Sequence, residues 1–163
     1  MSEFLEKLSS YNLFNYLFPG VVFCLLADEY FSYSLIQEDI IVGVFLYYFV
    51  GLVISRIGSL IIEPTLKKIG FVSFSEYEDF ISASKTDPKI ETLSEVNNMY
   101  RTVIALFFTL SLAAIYQAIQ VKWPVVANYS LYIAILVLFF MFLFSYKKQT
   151  SYIVKRVKSS KDN

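Results

Sequence analysis

The sequence predicts an all-α integral membrane protein, with four transmembrane helices and a cytoplasmic helical hairpin between helices 2 and 3. Three observations predict it. The 163-residue chain is 56% hydrophobic and 17% charged, with mean hydropathy +0.55, whereas soluble domains are about a quarter charged. A soluble domain of this size exposes too much surface to hide so much apolar content. Apolar stretches recur four times, and the segments joining them alternate between poor and rich in Lys and Arg. No shift in composition divides the chain, so residues 1–163 read as a single membrane domain.

The N-terminal SEFLEKL, apolar at Phe4, Leu5 and Leu8, suits an interfacial helix. Its glutamates lack the basic character of a signal peptide, so the first apolar segment is expected to be retained. That segment, 13–27, is short and broken by Pro19-Gly20; it reaches spanning length as 12–30. Asn12, Asn15 and Pro19 share a face there, and Pro19-Gly20 predicts a kink.

The second stretch, 40–62, has 23 residues and one charge, Arg56. It meets the ~20 residues needed to cross ~30 Å of hydrocarbon. Arg56 lies roughly 24 Å along it from Ile40. It either snorkels to the interface or turns inward toward a carboxylate or pore. Glu63, seven residues on, shares its face, so the pair is expected to flank a polar mouth before Pro64 ends the helix. Gly51, Ser55 and Ser59 recur every fourth residue, a spacing that brings helix backbones close together.

Residues 64–101 form the expected hairpin. Two overlapping capping boxes, Ser73/Glu76 and Ser75/Glu78, predict a helix start, with its end near Ser84. Asp87 as N-cap and Pro88 behind it predict a second start. Nothing breaks that helix before Pro124, so it should run through the third span as ~34 residues, about 50 Å long. Ile90, Leu93 and Val96 are expected to pack on Phe74, Tyr77 and Phe80. Tyr77, Glu78, Asp79, Glu91 and Glu95 are the candidate docking residues of this hairpin.

The third span, 103–121, is uncharged over 19 residues. At 100° per residue, Thr102, Ala105, Thr109, Ala113, Gln117 and Gln120 fall on one narrow face that continues back through Asn98, Glu95 and Glu91. Unsatisfied amides are costly in hydrocarbon, so this stripe should pack on other helices or line water. Thr102, Thr109, Gln117 and Gln120 are therefore pore or polar-stripe candidates together with Arg56 and Glu63. The fourth span, 125–146, has 22 uncharged residues and no stripe, and reads as the lipid-facing helix. Trp123, Tyr129, Tyr132 and Tyr146 suit its interfaces. The basic tail, 147–163, suits anionic lipid or a disordered end rather than nucleic acid.

Lys67, Lys68, Lys85, Lys89 and Arg101 lie between the second and third spans, and six further bases follow the fourth. The 28–39 loop has four acids and no base. The positive-inside rule then puts both termini and the hairpin in the cytoplasm. The chain has no histidine and only Cys24, and shows no Gly-rich phosphate loop or nucleophile elbow. No catalysis, cofactor or metal is expected. Three polar or small faces crowd one bundle, which favours a ring of protomers over a lone four-helix monomer.

The run SRIGSLIIEP…KIETLSEVNNMYR resembles a set of small, largely uncharacterised bacterial inner-membrane proteins with several spans, over roughly 11–101. The resemblance implies a membrane effector or accessory subunit of anti-phage systems. The residues themselves suggest a homo-oligomeric channel-forming or membrane-disrupting effector. The alternative is a non-catalytic anchor or adaptor that docks a cytosolic partner through the hairpin.

Overall fold

The computed structural model describes residues 10–31 and 33–161, and the regular structure among them is entirely helical. Helix α1 covers 10–31 in three registers: α-helical Ser10–Asn12, a π turn at Leu13–Leu17, and α-helical Phe18–Phe31. Helix α2, Ile40–Lys68, repeats the construction with a π turn at Gly58–Ile62. Helix α3 is Tyr77–Thr86, α4 is Lys89–Lys122, α5 is the short Val125–Asn128, and α6 is Ser130–Lys161. Three of these, α2, α4 and α6, are long and apolar enough to cross a membrane. The interfacial helix expected over 2–8 lies outside the described residues.

Both π turns have one cause. Each is followed by a single residue and then a proline: Leu13–Leu17, Phe18, Pro19 and Gly58–Ile62, Glu63, Pro64. Proline has no N–H to give to the preceding turn. In the wider register the Phe18 N–H bonds to the Leu13 carbonyl and the Glu63 N–H to the Gly58 carbonyl. The helix thus passes through the proline instead of stopping. This corrects the expectation that Pro64 ends the second helix, which continues to Lys68.

The true end lies at Gly70, whose φ of 73° is left-handed. The Phe71 N–H reaches the Leu66 carbonyl at 3.0 Å and the Gly70 N–H reaches that of Lys67 at 3.1 Å, a Schellman closure. Helix α2 begins at Asp39, whose Oδ1 accepts from the Ile41 and Val42 N–H groups at 2.8 and 3.1 Å. Asp87 does the same for α4, accepting from the Lys89 N–H at 2.9 Å. The capping boxes at Ser73 and Ser75 do not form. Helix α3 starts later, at Tyr77, with no side-chain cap bond, and ends at Thr86.

Helices α1, α2 and α4 enclose the core, with Ile54, Ala105 and Leu106 buried and Val22, Phe23 and Leu110 packed on them. Asn15 meets Ser55 while Gly20 meets Tyr47 and Gly51, so α1 and α2 run antiparallel. The crossing is backbone on backbone. A Cβ on Gly20 would stand 1.7 Å from the Tyr47 carbonyl oxygen, and one on Gly51 1.6 Å from that of Tyr16. Only glycine allows this approach.

Helix α6 lies outside this core. Phe142 stacks on Phe49, with ring centroids 6.2 Å apart, and Lys148 reaches Ser59, so α6 runs parallel to α2. Its Leu136, Phe139, Phe140 and Phe144 are exposed. The basic tail, expected to bind anionic lipid or to be a disordered end, continues α6 as helix to Lys161, which corrects the second of these alternatives. The hairpin also departs from expectation. Tyr77 stacks on Tyr152 of α6 at 6.2 Å, Ile81 is buried, and Lys67 sits 4.0 Å above the Phe74 ring. Leu93 remains 66% exposed, so the predicted packing of α4 on α3 through that residue is not made.

Candidate functional site

Two polar clusters knit the helices together. The first is fully inside the bundle and joins α1, α2 and α4 through Asn15, Ser55 and Thr102, each at most 1% exposed. The Thr102 hydroxyl donates to Asn15 Oδ1 at 2.7 Å and lies 2.9 Å from the Asn98 carbonyl. Asn15 Nδ2 donates to the Tyr11 hydroxyl at 3.2 Å and lies 3.3 Å from Ser55 Oγ. The Ser55 and Thr102 oxygens are themselves 3.3 Å apart. Each polar atom has a partner, as hydrocarbon requires.

The second cluster sits at the end of the bundle, just past the apolar stretch 40–62. Glu63 is its hub. Oε2 accepts from Arg101 Nη1 at 2.5 Å, while Oε1 takes Lys67 at 3.3 Å and Lys148 at 3.4 Å. Burial pushes the Glu63 carboxyl up; Lys148, Arg101 and Lys67 outweigh that and hold its pKa below the ordinary value. Three cations on one carboxylate leave two positive charges uncompensated. Arg101 Nε is buried without a hydrogen-bond partner.

Lys148 owes its place to Pro64. With the Glu63 N–H taken by Gly58, and Pro64 having none, the Ser59 carbonyl has no donor in its own helix. The Lys148 ammonium supplies one at 2.7 Å and also donates to Ser59 Oγ at 2.8 Å. Its three protons thus go to the carbonyl, the hydroxyl and Glu63. This pins α6 to α2.

The structure separates the residues that the sequence grouped. Arg56 reaches the Tyr16 hydroxyl at 3.5 Å, whereas Glu63 takes Lys67, Arg101 and Lys148. Within the small-residue row, Gly51 meets α1, Ser55 joins the inner cluster and Ser59 joins the outer one. The stripe on α4 divides as well. Thr102 and Ala105 are buried in the core of one chain. Thr109 bonds back to the Ala105 carbonyl at 2.7 Å, and Gln120 donates to Ser130 Oγ at 2.9 Å. Gln117 is part-exposed. Tyr77 is half-buried against α6, whereas Glu78, Asp79, Glu91 and Glu95 are exposed.

Sequence reasoning did not single out Arg101, Lys148 or Tyr16. A base opposite the proline-disturbed turn was the available signal for Lys148; nothing in the spacing marks the other two. Among the described residues no group of His, Cys, Asp and Glu side chains could hold a metal ion. Compared with protein-family models, curated proteins and solved structures, the chain matches none.

Proposed function

We propose that the chain is a four-span bacterial inner-membrane protein with cytoplasmic termini, working as a non-catalytic anchor whose 64–101 hairpin docks a cytosolic protein. One observation carries this reading. The polar side chains of the spans are largely bonded within a single chain, while apolar side chains of the hairpin stand in the open. Leu93, Val96 and Tyr100 recur at i, i+3 and i+7 on α4 and are all exposed, with exposed Glu91 and Glu95 nearby. That is the anchor pattern of a helix lying in an apolar groove. The partner expected is a protein with such a groove rimmed by basic residues.

The fourth span is α1. At about 33 Å it is long enough to cross, and its antiparallel contact with α2 sets the two side by side. Glu63, Lys67, Arg101 and Lys148 gather at one end of the bundle, which the positive-inside rule assigns to the cytoplasm.

The homo-oligomeric channel or membrane-disrupting reading keeps one supporting observation, the part-exposed Gln117 on α4. A photo-crosslinking side chain at Leu93, with a control at Leu136, discriminates the two in expressing cells. Docking predicts adducts to one cytosolic protein from Leu93 only, lost in Val96→Lys. Adducts solely to further copies of the chain, with conductance in planar bilayers, would establish the channel instead.

A further inference from the structure

Helices α2 and α6 touch at Phe49–Phe142 and at the Lys148–Ser59 pin. Beside these contacts they leave a cavity of about 850 Å³. Its walls are apolar along Leu60, Ile61, Phe140 and Phe144, and it ends at Lys147, Lys148 and Lys155. An apolar slot closed at one end by cations matches the two halves of an anionic phospholipid. Basic pockets between spans recognise such headgroups. We propose that this groove is a binding site for one anionic phospholipid, with an acyl chain along Ile61 and Phe140 and the phosphate on Lys147, flanked by Lys155.

Charge complementarity selects this occupant. The pin region already carries an excess of cations, because Lys67, Arg101 and Lys148 share one carboxylate. Lys147 is exposed at the mouth. Lys155 also borders a cleft with Glu76 and Glu78, so its share of the phosphate is the smaller. A zwitterionic headgroup would bring its own ammonium against these lysines. A second protein helix could fill the slot but would leave the lysines without an anion. The proposal needs only membrane residence, and stands or falls independently of the docking role of the hairpin.

The test is native mass spectrometry of the full chain in detergent, titrated with phosphatidylglycerol or with phosphatidylcholine of the same chains. Phosphatidylglycerol should bind at least several-fold tighter. The double variant Lys147→Glu, Lys155→Glu, which leaves the Lys148 pin intact, should erase the preference, a loss of about tenfold. Ile61→Trp, which fills the slot, should weaken both lipids, with circular dichroism confirming the fold. Equal binding of the two lipids would overturn the proposal. So would displacement by glycerol phosphate at comparable concentration, which would show that the slot holds no acyl chain.

Discussion

Lys148 and Glu63 act through what would be left behind without them. Lys148→Met orphans the Ser59 carbonyl and removes one of the three cations on Glu63. Charge-assisted bonds of this kind are worth about 2 kcal/mol, so the melting temperature in detergent should fall clearly. Ser59→Ala keeps the carbonyl and should cost much less. Glu63→Gln leaves Arg101, Lys67 and Lys148 facing one another and should destabilise by about 3 kcal/mol. The pH dependence has a definite sign. Folding lowers the pKa of Glu63 from the ordinary 4.5, so its contribution is intact above that pH and lost as pH falls through the folded value. A melting series from pH 7 to 3 should show an acid-side loss that is smaller in Glu63→Gln; parallel curves would refute this. In the inner cluster, Thr102→Val should cost about 1 kcal/mol, the scale of polar contacts between membrane helices.

At the level of elements, the α1–α2 crossing depends on two glycines. A methyl group at Gly51 would meet the Tyr16 carbonyl at 1.6 Å, and backbone cannot swing away as a side chain does. The helices would have to separate, opening the Asn15–Ser55–Thr102 cluster with them. Gly51→Ala should therefore cost about 3 kcal/mol or more, read as a large drop in the fraction that is folded in detergent. Gly70→Ala stresses only a left-handed cap with open space around it and should cost about 1 kcal/mol. If the two substitutions prove equally mild, the close crossing is wrong. The prolines show how element boundaries escape a reading by propensity. Proline in a helix normally predicts a stop, but an extra residue in the turn before it keeps the helix going, and tertiary packing stabilises the result.

For the whole molecule, the proposed topology makes a labelling experiment decisive. Cys24 is buried, so a single added cysteine can be read against it. Gln37→Cys should react with a membrane-impermeant maleimide added outside intact cells, and Lys85→Cys only after lysis. The reverse pattern would invert the orientation, and labelling of both from outside would remove a span. Protomer count by native mass spectrometry bears on function. A monomer or dimer fits a bundle whose Thr102 and Ser55 are satisfied internally. A closed ring would return Gln117 to a central path.

Composition and periodicity by themselves determined that this chain is helical and apolar. They also located the long helix from the Asp87 cap to Lys122, because caps and hydrophobic runs are local and each residue carries its own share of the signal. The small-residue row and the polar stripe were legible as places where helices meet. The partners of those residues were not, because a partner lies wherever another helix comes to rest. The tertiary structure alone decided that Thr102 bonds Asn15, and that Arg56 turns to Tyr16 while Glu63 gathers Lys67, Arg101 and Lys148. It alone brought Lys148, 85 positions along the chain, to the carboxylate of Glu63. Long-range pairing of charges depends on which helix faces which, and the two prolines altered that facing through hydrogen bonds they do not make.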